Sequence, residues 1–87
     1  LMYKITTRTK RAEKEFKEVV NSRKDIPEKL EKLKENPRIC LEAHKLKGKL
    51  TGLWSCWLGS DLRLIYEIDD ENNEIIVVTA GDHKEVY

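Results

Sequence analysis

The sequence contains few of the residues that define several classes of protein. Among its 87 residues are only two cysteines, two prolines and four glycines. Two cysteines cannot build the disulfide framework of a small secreted domain, and so little glycine and proline excludes a collagen-like or low-complexity chain. No apolar run reaches the roughly 18 to 20 residues of a membrane span, and the N-terminal residues lack the apolar core of a signal peptide. We therefore expect one cytoplasmic domain over residues 1–87, with no membrane partner.

Charged residues are abundant, but their sum is only +1. They are unevenly distributed: residues 1–66 carry 16 lysines and arginines against 9 acidic residues, whereas residues 67–87 carry one lysine against seven acidic residues. Such a separation is typical of a protein with a basic face that holds a polyanion. A solvated surface of mixed charges would give the same count, so charge alone leaves both interpretations open.

The first third of the chain predicts a strand followed by two helices. Alternating side chains from Tyr3 to Arg8 indicate the strand, and Thr9 is a typical cap for a helix that begins after it. Asp25 is a typical acidic cap for a second helix, with a proline in its first turn and a glutamate three residues after the cap. Asn36–Pro37 ends this helix. Each helix has an apolar stripe: Ala12, Phe16, Val19 and Val20 in the first, and Ile26, Leu30 and Leu33 in the second.

The second half of the chain predicts three further strands, bounded by glycines and polar turns. They span residues 53–58, 61–68 and 74–79. The resulting order, β-α-α-β-β-β, indicates an α+β fold in which a helical hairpin packs on one face of a mostly antiparallel sheet. The opposite face of that sheet would be free to bind a partner.

Lysine and leucine alternate in residues 44–52, between the helices and these strands. In an extended strand, Lys45, Lys47 and Lys49 would lie on one side with their ammonium groups about 7 Å apart. That spacing suits the phosphates of a nucleic-acid strand. Lysines also protect exposed edge strands from aggregation, so this segment taken alone fits either role.

The two histidines, His44 and His83, stand at the ends of predicted strands. Imidazole is the side chain best suited to move protons near neutral pH, although a single histidine is more often structural. Cys40 and His44 have the spacing of half a metal site, but no second paired unit of ligands completes it. We therefore expect no metal and no cofactor, with Cys40 and Cys56 as small core residues.

Arg63 interrupts an otherwise apolar strand close to Asp61. Its guanidinium could bind a phosphate through two N–H groups, or form a salt bridge with Asp61 or Glu67. Strand parity places Trp57 on the same sheet face, where its ring would stack on a base or complete the rim of the core. The side chains that parity turns toward the helices are Trp54 and Cys56.

Residues 44–87, half of the chain, resemble the RelE/ParE superfamily of toxins from toxin–antitoxin systems, in particular its ribosome-dependent mRNA interferases. The resemblance lies in the stretch HKLKGKLTGLWSCWLGSDLRLIYEI and in the C-terminal GDHKEVY. The L-x-G-x-L-x-G-x-W-S element with R-L-I-Y is typical of the superfamily, and the Gly-x-His-x-x-x-aromatic ending resembles its YafQ branch. The resemblance implies a RelE-like fold and an endoribonuclease that cuts mRNA on the ribosome.

The catalytic residues of the YafQ branch carry over to this chain position by position. Trp57 and Leu62 depart from the pattern, because they stand where the branch has a further histidine and a tryptophan. Arg63 matches instead the catalytic arginine of the YoeB-like branch. The four positions that match the YafQ set are the opening histidine, the strand-opening aspartate, the C-terminal histidine and the closing aromatic: His44, Asp61, His83 and Tyr87.

The resemblance implies metal-independent attack of a 2′-hydroxyl on the scissile phosphate. His44 and His83 would transfer the protons, with the order of base and acid left open. Arg63 would stabilise the phosphate, Asp61 would orient a histidine or contact the RNA, and Tyr87 would position the nucleotide. The residues expected to hold the RNA are Lys45, Lys47, Lys49 and Trp57.

A toxin of this superfamily implies a cognate antitoxin, with a disordered segment that folds over it, and the ribosome and mRNA as further partners. The toxin–antitoxin complex is expected to bind operator DNA through the antitoxin. One alternative is a ParE-like toxin that inhibits DNA gyrase without chemistry of its own, and another is a member that only represses its operon. ParE-like chains generally lack the histidine-bearing ending, so His44, Arg63 and His83 together favour the nuclease.

Overall fold

Five strands form one mixed sheet in the computed structural model, which describes residues 2–59 and 61–82. The strands are β1 (Lys4–Thr7), β2 (His44–Lys45), β3 (Trp54–Trp57), β4 (Leu62–Asp69) and β5 (Glu74–Asp82). They lie in the order β1-β5-β4-β3-β2, with β1 parallel to β5 and every other neighbouring pair antiparallel. Two helices, α1 (Lys10–Ser22) and α2 (Ile26–Glu35), separate β1 from β2 in the chain. The predicted α+β fold is confirmed.

The two helices begin where the sequence predicts, but only one of them has the predicted cap. The Thr9 hydroxyl accepts a hydrogen bond of 3.0 Å from the backbone N–H of Ala12. The Asp25 side chain caps nothing, because Arg23 and Lys29 form ion pairs with its carboxylate. Within the described residues, neither helix is long and apolar enough to cross a membrane.

The core lies between the helices and one face of the sheet. Alternate residues of β3, β4 and β5 face it, and the apolar stripes of both helices cover them. Trp54 and Cys56 lie on this side as predicted, with Cys56 fully buried and Trp54 packed against the cluster. The buried residues of the cluster are Val19, Ile26, Leu30, Leu33, Cys56, Leu58, Leu64, Tyr66, Ile75, Val77 and Ala80.

The opposite face of the sheet is not bare, which corrects the expectation of a free platform. Ser55 and Ile65 pair across β3 and β4 on that face, and both are buried. Arg63 lies on the same face and is only 9% exposed. One reason for the burial of Arg63 is that the Trp57 ring contacts its guanidinium.

The segment that follows α2 is tied to β4 by two contacts at neighbouring residues. The buried Tyr66 hydroxyl donates a hydrogen bond of 2.6 Å to the Pro37 carbonyl, and burial raises the pKa of Tyr66. Arg38 forms an ion pair with Asp70, just beyond the end of β4, at 2.7 Å. The Tyr3 hydroxyl donates to the same carboxylate at 2.6 Å. These contacts set the path by which the chain enters β2.

We expect Tyr66→Phe to lower the free energy of unfolding by about 1 to 3 kcal/mol, because the buried Pro37 carbonyl loses its donor. Urea unfolding followed by circular dichroism measures the change. Tyr3→Phe is the matched control, since it removes the same group from an exposed hydrogen bond and is expected to cost less than about 1 kcal/mol. An equal or smaller loss for Tyr66→Phe than for Tyr3→Phe would contradict the assignment.

The Arg38 guanidinium, assisted by the Tyr3 hydroxyl, holds the pKa of Asp70 below its ordinary value of 3.8. A depressed carboxyl pKa stabilises the fold above the unfolded pKa, and this stabilisation is lost as the pH falls through the folded pKa. The stability gap between the parent and Asp70→Asn should therefore be full near neutral pH and close below about pH 4.

Urea midpoints measured across this acidic range test the prediction. Glu71→Gln, an exposed neighbour outside the ion pair, is the control and should follow the parent at every pH. A gap for Asp70→Asn that stays constant down to the acidic limit of the series would show that the carboxylate contributes nothing through its charge.

Candidate functional site

The register of β2, β3 and β4 brings three of the predicted site residues onto the sheet face opposite the helices. His44 pairs with Ser55, and Trp57 pairs with Arg63. Directly paired residues of antiparallel strands point to the same face, and so do residues two positions apart along a strand. His44, Trp57 and Arg63 therefore surround Ser55 on one face of the sheet.

His44 and Arg63 lie on the same face but on strands that are not neighbours. They are separated by two strand spacings and one step of two residues, which places their Cα atoms about 12 Å apart. The Arg63 guanidinium lies against the Trp57 ring, and His44 lies on the outermost strand of the sheet.

Arg63 and Trp57 form a stacked pair. The Arg63 Cζ atom lies 3.1 Å from the centroid of the Trp57 ring, and the two residues are directly paired across β3 and β4. A guanidinium stacks on an aromatic ring through its flat face and directs its N–H groups outward in its own plane. The stack therefore fixes the plane in which Arg63 can donate hydrogen bonds.

His44 follows two residues with left-handed backbone. Leu41 and Glu42 have φ values of 58° and 56°, a conformation that is costly for residues other than glycine. The chain then enters β2, where the exposed His44 places its Nδ1 atom 3.3 Å from the Glu42 carbonyl. A carbonyl only accepts, so this contact is a hydrogen bond when Nδ1 carries the proton. That tautomer leaves Nε2 able to accept a proton.

Asp61 lies in the turn between β3 and β4 and not, as predicted, on the strand itself. The turn is closed by a hydrogen bond of 2.9 Å from the Leu62 N–H to the Gly59 carbonyl. Gly59 has a φ of +102°, and a Cβ atom there would lie 2.8 Å from the Lys29 ammonium nitrogen. Asp61 is exposed at this end of the sheet, directly before the strand that carries Arg63.

The three lysines do not line one extended edge, so that prediction is wrong. Strand β2 ends at Lys45, and Gly48–Leu50 forms a short 3-10 turn that contains Lys49. Gly48 has a φ of +70°, which turns the chain away from an extended path. Lys45, Lys47 and Lys49 are all exposed, but Lys45 lies on the opposite side of β2 from His44.

The two remaining predicted residues, His83 and Tyr87, lie outside the described residues. Within the part of the chain that the structure describes, no three histidine, cysteine or acidic side chains converge as metal ligands would. Burial raises the pKa of the Cys56 thiol to about 12, against a partly opposing effect of Arg63. Cys56 is therefore a core residue, as predicted, while Cys40 is only partly buried.

Sequence reasoning missed a second group of residues, on the helix side of the same sheet edge. The Arg38 Cζ and the Lys45 Nζ atoms each lie 5.8 Å from the centroid of the Trp54 ring. We call Arg38, Lys45 and Trp54 the Trp54 cluster. Only the pairing of Lys45 with Trp54 across β2 and β3 follows from a strand pattern. Arg38 lies in the turn after α2, and no sequence motif in that turn predicts its contact with Trp54.

Comparison with known proteins places the chain among bacterial toxins. The YafQ toxin family, described as the bacterial toxin of type II toxin–antitoxin systems, matches residues 1–87. A metal-bound toxin from Helicobacter pylori is similar at 30% identity and a TM-score of 0.72, with 99% of this chain and 100% of that chain covered. No curated protein sequence gives a match.

Two further solved structures extend the comparison. The YoeB–YefM complex from Staphylococcus aureus is 25% identical, with a TM-score of 0.71 over 95% of this chain and 99% of that one. A mutant of YafQ from E. coli is 18% identical, with a TM-score of 0.70 over 98% of both chains. At that identity the likeness to the E. coli protein concerns the fold alone.

Proposed function

Because this chain belongs to the YafQ family of toxins from type II toxin–antitoxin systems, we propose that it is an endoribonuclease that cuts mRNA bound to the ribosome. The observation that carries the proposal is the placement of His44 and Arg63 on one sheet face, with Trp57 stacked on Arg63. A proton-transfer group and an oriented cation on one face are parts that such a reaction requires.

The proposed reaction is an attack of the ribose 2′-oxygen on the adjacent phosphorus. A general base removes the 2′-hydroxyl proton as the new P–O bond forms, and the bond from phosphorus to the 5′-oxygen breaks. A general acid returns a proton to that departing oxygen, so the products are a 2′,3′-cyclic phosphate and a 5′-hydroxyl. Arg63 would stabilise the negative charge that builds up on the phosphate oxygens.

We assign proton abstraction to His44. Its contact with the Glu42 carbonyl favours the tautomer with the proton on Nδ1, which leaves Nε2 as the acceptor that a general base needs. His83 would then supply the proton to the leaving oxygen, and Tyr87 would position the nucleotide, as the resemblance implies. Asp61 is exposed in the turn directly before β4. It would contact the RNA or orient a histidine.

Trp57 acts through Arg63 in this proposal. The face of its ring that contacts Arg63 is not available to a nucleotide base, so we assign Trp57 to holding the guanidinium in place. Because they do not lie along one extended strand, Lys45, Lys47 and Lys49 would each bind the RNA backbone from a different direction. The complex of the similar YoeB with YefM supports a cognate antitoxin as partner. Action on ribosomes would place the chain in the cytoplasm.

Cleavage of a defined mRNA, with its 5′ ends mapped in the presence and absence of translating ribosomes, tests the function. We expect cuts that require the ribosome in the parent chain. His44→Ala and His83→Ala should each slow single-turnover cleavage by about 10²- to 10⁴-fold, the usual contribution of a positioned acid or base.

Lys14→Gln is the matched control, because Lys14 is an exposed residue of α1, on the helix side of the sheet. It should cleave at the parental rate. Absence of cuts by a folded chain that still inhibits growth would overturn the nuclease and point to another target such as DNA gyrase. Cleavage by both histidine variants within a few-fold of the parent would remove their assigned roles.

A second test separates the two roles open to Trp57. If the ring holds Arg63, Trp57→Leu should lower the cleavage rate about 10-fold or more, as loss of an oriented charge does, while affinity for an uncleavable 2′-O-methyl RNA changes little. Trp57→Phe keeps a stacking ring and should recover most of the rate. If the ring stacks on a base, the affinity should fall instead, by the equivalent of about 1 to 3 kcal/mol.

A further inference from the structure

The Trp54 cluster lies on the other side of strand β2 from the candidate catalytic face. His44 and Lys45 are consecutive residues of this strand, so their side chains point to opposite faces. His44 faces the site with Arg63, and Lys45 faces Trp54 on the helix side. Because β2 is the outermost strand of the sheet, only the width of this edge separates the two surfaces.

An ion pair with Asp70 holds Arg38 at this surface. Its two terminal nitrogen atoms donate to the two oxygens of Asp70 at 3.3 and 2.7 Å. A guanidinium has five N–H groups, so this pairing leaves donors for a second acceptor. The side chain is 43% exposed, which makes such an acceptor accessible from solvent.

Lys45 supplies a second cation at the same indole ring. It takes part in none of the ion pairs found among residues 2–59 and 61–82, and its side chain is exposed. Asp70 already offsets the charge of Arg38, so Lys45 supplies the charge at this ring that a bound anion would offset. Lys47 and Lys49 follow in the chain, and both are exposed.

We propose that the Trp54 cluster binds the phosphate backbone of the RNA strand one or two nucleotides from the bond that is cut. The strand would cross the β2 edge, with the scissile phosphate near His44 and Arg63 and a neighbouring phosphate held by Arg38 and Lys45. Because His44 and Lys45 are adjacent residues of β2, the two surfaces are separated by about the width of one strand, which corresponds to such a short step of RNA. Trp54 holds the two cations through its ring. The inference rests on the proposed function for the nature of the ligand.

The salt dependence of RNA affinity tests this surface directly. The probe is a short single-stranded RNA with 2′-O-methyl groups throughout, which the chain can bind but not cut. Each phosphate contact adds about 0.7 to the slope of log affinity against log salt for a single strand. Arg38→Gln and Lys45→Gln should each lower the slope by about that amount, and the double variant by about 1.4.

Lys14→Gln serves again as the control, since it removes one positive charge from α1 and should keep the parental slope. Parental slopes for Arg38→Gln and for the double variant would overturn the proposal. The same result accompanied by weaker binding of the antitoxin would assign the surface to that partner and equally overturn it. Circular dichroism of each variant excludes a change of fold as the cause.

The outcome of this salt-dependence experiment is independent of the outcome of the mRNA cleavage assay. A chain that cuts no mRNA but shows the expected change of slope would lose the nuclease assignment and keep this surface as an RNA contact. A chain that cuts mRNA on the ribosome but shows no change of slope would keep the nuclease and lose the contact.

Discussion

The pairing of β3 with β4 is the constraint on which the rest of the structure depends. One register sends Cys56, Leu64 and Tyr66 into the core and, by the same alternation, puts Trp57 opposite Arg63 on the other face. A slip of one residue would exchange the two faces, burying the arginine among the helices. The Gly59 turn helps to fix this register, because its φ of +102° suits glycine. Core and candidate site are thus specified together.

The short passage from α2 into β2 determines where the candidate base lies. Tyr66 fixes Pro37 from within the core, and Asp70 fixes Arg38 from the surface. Leu41 and Glu42 then take left-handed backbone before β2 begins. Such conformations persist only where surrounding contacts determine them. Packing around Tyr66 and the charge of Asp70 therefore contribute to the position of His44 at the far edge of the sheet.

Positive charge in this protein is arranged on both sides of one sheet edge. Arg63 is held flat on Trp57 on the face opposite the helices, and Arg38 and Lys45 contact Trp54 on the helix side. Each tryptophan belongs to β3, and their separation by three residues puts them on opposite faces. The same strand thus supplies an aromatic support for a proposed catalytic cation and for a proposed backbone contact.

Periodicity and short-range hydrogen bonds were enough to predict both helices, four of the five strands, the Thr9 cap and the partition of Trp54, Cys56 and Trp57 between the faces of the sheet. The short strand β2 was not among the predicted strands. The sequence also indicated His44 and Arg63 through their motif. The folded structure was needed to show that Gly48 turns the lysine segment away from an extended path, that Asp25 pairs with cations instead of capping α2, and that Arg38 contacts Trp54. The contact of Arg38 with Trp54 joins side chains distant in sequence, which no local pattern encodes. The Gly48 turn and the ion pairs of Asp25 with Arg23 and Lys29 are local, but the same residues are also compatible with a strand and with a cap, so the pattern fits both outcomes.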